Sequence, residues 1–286
     1  MIIWLASYPK SGNTWLRSFI ASLLFKKTAT LSLKSLSNIP QFPLRSHFDN
    51  LVNKHEIDDL NKVSSYWIKS QQIINLDKKV KFFKTHHALC KIGKFSFTNY
   101  ETSLGAIHIV RDPRNIINSI LYHYSKKSFL EAKEFMLDET RALGKKFDPN
   151  SPSVNQDMFT VLTSWKTHYL SWKNFKKNYL LIKYENLVSE PDKEFRKITK
   201  YLNDVMHIKI EEDKIDHAIK SNSFENLKKI ENRDGFKEAI KDKGSGEVKC
   251  FFNLGPNNKW EKILDSEIKD EIEKKFNVEM KELGYL

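Results

Sequence analysis

The opening of this chain, MIIWLASYPKSGNTWLRSFIASLLF, restricts its fold more than any other stretch. IIWLA (2–6) is short, apolar and begins with two β-branched residues, the composition of a buried strand. From Leu16 the apolar residues recur at Leu16, Phe19, Ile20, Leu23 and Leu24, the spacing of one helix face. Between the two stand Pro9, Lys10, Ser11, Gly12, Asn13 and Thr14. A strand that enters a helix through a tight Gly-containing loop belongs to the α/β folds with parallel sheets. The same unit makes an anion site. Loop N–H groups and the free N–H groups of the first helical turn converge on one point, and Gly12 lets the backbone approach closely. Lys10 adds positive charge, and Ser11, Asn13 and Thr14 add short polar side chains. The competing reading is a capped helix entry with a chance Lys.

Other segments continue the α/β alternation. VKFFKTH (80–86), AIHIV (106–110) and YLLIKYE (179–185) read as strands. After AIHIV, Asp112 is placed to cap a helix that Pro113 opens, with Ile116, Ile117, Ile120, Leu121 and Tyr124 as its apolar stripe. Further helices are expected around 54–62 and 66–75, over 128–146, 189–203 and 211–230, and from about 265 to 283. A long helix should carry Leu162, Trp165, Tyr169 and Trp172 on one side. FDPNSPS (147–153) reads as a turn-rich connector and 231–259 as irregular. With no internal repeat and no clear linker, the expectation is one domain over 1–286. Its expected fold class is α/β, a three-layer fold whose central, mainly parallel sheet is flanked by helices.

A chain of 286 residues, 40% hydrophobic, can bury a large core. Its net charge of +12 favours anionic partners such as phosphates, sulfates, nucleic acid or a membrane surface, although a Lys-rich solvated surface gives the same total. No nucleic-acid-binding motif stands out. The two cysteines, Cys90 and Cys250, make no disulfide framework, and no Cys/His spacing suggests a metal. No apolar run approaches membrane-spanning length, and MIIWLA lacks the charged n-region and cleavage site of a signal peptide. A soluble cytoplasmic protein is the expectation.

The loop is not the nucleoside-triphosphatase pattern G-x-x-x-x-G-K-[ST], because Lys10 precedes Gly12 and no first Gly exists. SYPKSGNTWL instead resembles the 5′-phosphosulfate loop of the cytosolic-type sulfotransferases, close to Y-P-K-S-G-T-T-W, with Asn13 where Thr is usual. That family has a P-loop-like fold and moves a sulfuryl group from 3′-phosphoadenosine 5′-phosphosulfate (PAPS) to a hydroxyl or amine. The resemblance implies that Lys10, Ser11, Gly12, Asn13 and Thr14 hold the 5′-phosphate. AIHIVRDPRNIINSI resembles the family's second signature, a strand ending in Arg followed by a helix with Ser eight residues on. Arg111 and Ser119 are thereby implied as contacts to the 3′-phosphate. Arg111 ends a strand, where α/β folds place ligands, and a guanidinium can grip phosphate bidentately. Otherwise, Arg111 would pair with a neighbouring Asp, and Ser119 would serve close helix packing.

FFKTHHAL resembles the family's K-T-H segment. Strand periodicity puts Lys84 and His86 on one face and Thr85 and His87 on the other. By the resemblance His86 is the catalytic base and Lys84 lies beside the transferring group. His87 is left as a possible acceptor-side contact, whereas His47, His55, His108, His168, His207 and His217 are read as core or surface residues. YLLIKYENLVSEP and SNSFENL resemble family segments that place Tyr184 at the adenine and sandwich it between Trp15 and Phe224, with Trp15 as simple core the rival reading. CFFNLGPNNKWEK corresponds to F-x-R-K-G-x-x-G-x-W-K, aligning Gly255 and Trp260 but putting Asn253 at the Arg and Asn258 at the second Gly. Lys249 or Lys259 could supply charge in place of that Arg.

The expected function is therefore in-line sulfuryl transfer from PAPS as co-substrate to a small-molecule or glycan acceptor. His86, Lys10 and Lys84 are its catalytic groups, with no metal and no nucleic-acid partner. Some relatives of this fold use a Glu base, but LRSFIASLL after the loop contains none. Two alternatives stand: a small-molecule kinase, and a non-catalytic binder of acidic glycan or nucleic acid. Residues 28–78 and 125–157 lie outside the donor motifs and are expected to form the acceptor pocket, with Phe42, Phe48, Trp67, Tyr122, Tyr124, Phe129 and Phe147 as aromatic candidates.

Overall fold

A computed structural model describes residues 1–26, 32–53, 56–144, 158–241, 246 and 248–286. A four-stranded parallel sheet runs in the order Lys81–Thr85, Ile2–Ser7, Ser103–Val110, Tyr179–Lys183. Ile2 lies opposite Lys81 and Ala6 opposite Thr85. Every residue of Ile2–Ser7 is buried, as a central strand covered on both faces requires. The backbone around Gln41 adds to the sheet edge at Lys84, whose N–H donates to the Pro40 carbonyl (2.9 Å) and whose carbonyl accepts from Phe42 N–H (2.9 Å).

The described residues divide into two compact units. The first comprises Met1–Tyr8, Ile39–His108 and Asp138–Leu181. Its core is aromatic and centred on Trp4, whose ring lies 5.4 Å from Phe97, 5.5 Å from Phe42, 6.1 Å from Phe83 and 6.4 Å from Trp172. The indole N–H donates to Ser103 Oγ at 2.8 Å, so burying Trp4 leaves no polar atom stranded. The helices Trp67–Ile74 and Trp165–Lys173 contribute Trp67 and Trp172 to the same cluster. Removing a ring of this size from such a core typically costs about 3–5 kcal/mol.

The second unit comprises Pro9–Asn38, Ile109–Leu137 and Ile182–Leu286. It contains the first helix, Asn13–Phe25, and the Pro191–Met206 helix, joined by Phe19 stacked on Phe195 at 4.2 Å. The Pro113–His123 helix starts as its sequence dictates, with Asp112 accepting from Arg114 N–H and Pro113 in the first turn.

Several elements are shorter than their periodicity suggests. The helix expected over 128–146 spans only Phe129–Leu137, because Ala142–Leu143 then pairs with Thr160–Val161. The connector 147–153, Phe147 and His55 lie outside the described residues. In the expected 54–62 span the helix is Leu60–Ser64, capped by Asp59. Leu162 precedes its helix, which Ser164 caps by accepting from Thr167 N–H at 3.1 Å. The span 211–230 breaks at Asn222 into Glu212–Ser221 and Phe224–Asp234, and 265–283 breaks at Phe276. No helix among the described residues is long and apolar enough to cross a membrane.

Candidate functional site

In the second unit the strand-to-helix loop is held in an unusual backbone state. Gly12 (φ 100°) and Lys10 (φ 66°) are both left-handed, a conformation that costs about 1–3 kcal/mol at a residue with a side chain. Gly12 caps the first helix and has no side chain with which to bond its leading N–H groups. The first turn's remaining bonds run from Trp15 and Leu16 N–H to the Gly12 carbonyl, at 3.0 and 3.2 Å. Ser11 is fully buried, and its Oγ has no hydrogen-bond partner among the described residues. A carboxylate of the chain itself stands at this helix start: Glu238 accepts from Arg17 (2.5 Å) and from the Thr14 hydroxyl (3.3 Å).

Gly12 is also sterically obligatory. A Cβ there would lie 2.6 Å from the Tyr184 ring and 3.1 Å from Ile109 Cδ1. Gly12→Ala is expected to lower stability by about 1–3 kcal/mol, from the positive φ and from displacement of Tyr184, as read by urea unfolding. An unchanged midpoint would show that the loop adopts another backbone.

Tyr184 gathers several of the residues singled out from sequence. Arg111 lies over its ring at 4.2 Å and donates to the Lys10 carbonyl at 3.1 Å. Trp15 meets the ring edge-on at 6.0 Å and Phe195 at 5.8 Å, and its indole N–H donates to the Asn222 carbonyl at 2.6 Å. Trp15 is thus packed into the core of this unit. Burial pushes the Tyr184 phenol above its usual range. The ion pair with Asp112 that could have claimed Arg111 belongs to Arg114 instead, at 2.7 Å.

The remaining donor candidates converge on the turn at 251–260. Phe224 packs directly on Gly255 (φ 51°), where a Cβ would overlap the ring, and lies 6.0 Å from Phe252. Lys10 Nζ sits 4.0 Å from the centre of the Phe251 ring. Glu231 fixes this segment by accepting from Phe251 and Phe252 N–H at 2.6 and 2.8 Å. Asn258, buried where the family pattern has Gly, donates to the Asn115 carbonyl (2.7 Å) and to Ser119 Oγ (3.2 Å). Its own carbonyl accepts from Asn118 at 3.0 Å, and Asn115 Oδ1 accepts from Trp260 N–H at 2.9 Å. Lys249 lies 5.2 Å over Tyr122, and Asn253 offers its carbonyl to Lys228 at 3.4 Å.

In the first unit, Lys84 and His86 are half-buried while Thr85 and His87 are buried, the alternation expected from strand period. His86 Nδ1 lies 2.7 Å from the Ser7 carbonyl and 3.2 Å from Ser7 Oγ. A carbonyl can only accept, so Nδ1 carries a hydrogen, and in the neutral ring the lone pair is on Nε2. His87 is a core residue: it stacks on Phe97 at 4.1 Å, meets Trp67 edge-on at 4.8 Å, and hydrogen-bonds through Nδ1 to the Ala88 carbonyl at 2.7 Å. Burial holds its pKa down to about 4. His108, 2.9 Å from the Tyr179 hydroxyl, is held to about 3 by burial, and His168 is lowered by burial and by its neighbour His108. Both fit the core reading made from sequence. Phe42, Phe48 and Trp67, expected at an acceptor pocket, belong to this unit's aromatic core.

The motif reading brought out Lys10 through Trp15, Arg111 and Tyr184. Ser7, Asn115, Glu185, Glu231, Glu238 and Tyr285 also make contacts here, at positions to which no motif pointed. Asn258 carried a signal, as the departure from Gly in an otherwise recognisable stretch.

Comparison with known proteins bears on the family. The model of the sulfotransferase domain matches residues 2–284. Cytosolic sulfotransferase 13 of Arabidopsis thaliana is 27% identical over 277 residues, spanning 94% of this chain and 74% of that protein. Mouse sulfotransferase SULT7A1, solved in complex with PAP, shares the fold at a TM-score of 0.55 and 20% identity, over 97% of this chain and 83% of that one. Retinol dehydratase, solved with androsterone and inactive cofactor PAP, does so at a TM-score of 0.59 and 17% identity, over 98% and 80%. With a match that runs almost end to end, and with the P-loop-like sheet and loop in place, this chain belongs to the sulfotransferase family.

Proposed function

We propose that this chain acts as one domain that transfers a sulfuryl group from PAPS to a hydroxyl or amine of a small-molecule or glycan acceptor. The loop at 10–14 carries this reading: two left-handed residues, a glycine pressed on Tyr184, and a buried Ser11 hydroxyl awaiting a partner make a cradle for an anion. The N–H groups of Ser11, Gly12, Asn13 and Thr14 hold the 5′-phosphate. Lys10 neutralises charge on the oxygen that leaves. Arg111 and Ser119 hold the 3′-phosphate, and Trp15, Tyr184, Phe224 and Gly255 shape the adenine site. Lys84 stabilises the sulfuryl oxygens. His86 receives the acceptor's proton on Nε2, its ring oriented by Ser7, which lies three residues before Lys10 in the chain. When bound, PAPS supplies the activated sulfuryl group. The relatives named cytosolic sulfotransferases support a cytoplasmic location.

Adenosine 3′,5′-bisphosphate (PAP) at 100 times its Kd is expected to stabilise the protein by about 3 kcal/mol, seen as a rise in melting temperature. ATP with magnesium should give a smaller shift. Labelled PAPS should then transfer its sulfate in an acceptor screen. No shift with millimolar PAP would sink the proposal, and a shift with ATP and magnesium alone would favour a kinase.

A further inference from the structure

The residues beside Arg111 and Tyr184 are tied together by a closed set of hydrogen bonds. One position past each, Asp112 N–H donates to Glu185 Oε1 at 3.0 Å, which pins the two strand ends to each other. The second Glu185 oxygen accepts from the Tyr285 hydroxyl at 3.0 Å. The Tyr285 carbonyl accepts from Arg114 at 2.7 Å, and the same guanidinium returns to the Asp112 carboxylate at 2.7 Å. Thus Tyr285 is engaged at both its polar ends, and the circuit passes through Glu185, Asp112 and Arg114 back to Tyr285. Two further contacts hold Tyr285 in place. Lys183 Nζ lies 4.7 Å from its ring centre and donates to the Leu283 carbonyl, and Glu273 takes the remaining arm of Arg114 at 2.6 Å.

Each link has a physical reason to be kept. Burial pushes the Glu185 carboxyl up, so its charge depends on the donors around it. Burial and the neighbouring carboxylate of Glu185 push the Tyr285 phenol well up, which keeps it a proton donor. Loss of the Tyr285 hydroxyl leaves one Glu185 oxygen without its donor. The carboxylate then turns toward other partners and releases Asp112 N–H. Asp112 is covalently next to Arg111, so the guanidinium loses its alignment over Tyr184.

We infer that Tyr285, acting through Glu185, is a positioning residue for Arg111 and therefore for recognition of the nucleotide's 3′-phosphate. This rests on the proposal that Arg111 binds that phosphate.

The test compares two probes on the full chain by titration calorimetry: PAP, and adenosine 5′-monophosphate, which lacks the 3′-phosphate. Tyr285→Phe is expected to weaken PAP about tenfold, or 1.4 kcal/mol, with the monophosphate unchanged within twofold. Arg111→Ala should weaken PAP further and the monophosphate much less, the latter only through the Lys10 carbonyl and Tyr184 ring that Arg111 also contacts. The double variant should be no worse than Arg111→Ala alone, because one residue acts through the other. Glu185→Ala should reproduce Tyr285→Phe. Glu185→Gln, which keeps a carbonyl for Asp112 N–H, should largely restore PAP affinity, and this pair serves equally should Tyr285→Phe fold poorly. Equal weakening of both probes, or additive losses in the double variant, would overturn the inference. If Arg111→Ala leaves the preference for PAP intact, the assignment of Arg111 fails and the inference falls with it.

Discussion

Replacing His86 with asparagine is expected to lower kcat by about 10²–10⁴-fold while leaving the affinity for PAP within twofold. Asparagine is the informative change. Its amide N–H can still donate to the Ser7 carbonyl that His86 Nδ1 approaches at 2.7 Å, so local structure is retained. What disappears is the basic nitrogen. Fixed by that carbonyl, the tautomer of His86 has its lone pair on Nε2 alone, and no atom of an asparagine amide can take a proton near neutral pH. Single-turnover kinetics with saturating donor separate this loss from binding. Full activity in the variant would remove His86 from the chemistry and reopen the search for the base.

Acid should destabilise this protein steeply, for a reason located in the first unit. In the unfolded chain each histidine takes a proton near pH 6.5. In the folded chain burial keeps His87 neutral down to about 4 and His108 down to about 3. Between those values the unfolded state binds more protons, so unfolding becomes easier as pH falls; above about pH 7 the contribution is complete and level. At about 1.4 kcal/mol per pKa unit, His87 alone is worth on the order of 3 kcal/mol by pH 4. Buried His108 adds to it with the same sign. Urea midpoints are expected to stay flat from pH 8 to 7 and to drop sharply below 6.5. His87→Phe, which preserves a ring between Phe97 and Trp67, should flatten that drop. A midpoint independent of pH down to 4.5 would mean that these imidazoles are protonated at no cost.

The elements legible in sequence were those whose signals are local. The Pro113–His123 helix announced itself through Asp112, Pro113 and its isoleucine stripe, and the structure keeps each feature. The opening strand and helix were equally clear from apolar run and helical spacing. Helix ends set by distant partners were not. The break at Asn222 exists because its carbonyl receives the Trp15 indole and its side-chain oxygen receives Ser18 (2.6 Å), contacts some two hundred residues apart in the chain. Ser223, which caps the next helix by accepting from Asn226 N–H, is the one local mark of that break. The same divide runs through the candidate site. Lys10 through Trp15 lie in one contiguous motif, and Arg111 and Ser119 in another. Asn258 and Glu231 act on backbone groups, and Tyr285 on the Glu185 side chain, 20 to 143 residues away in sequence, and neither composition nor periodicity encodes such a pairing.

The amide of Asn258 on Ser119 has an electronic consequence. An oxygen that accepts from an amide has one lone pair engaged and its own hydrogen left to give, and a hydroxyl polarised in this way is a stronger donor than an isolated one. Where the family pattern has glycine, this protein has a neutral dipole on Ser119, and under the proposed role of Ser119 that dipole would prime the hydroxyl toward the 3′-phosphate. Dipoles buried with their targets are little affected by dissolved ions, whereas the pull of exposed cations fades beyond a Debye length of about 10 Å at 0.1 M. Retention of the 3′ end should accordingly lean less on ionic strength than a site built wholly from guanidinium groups.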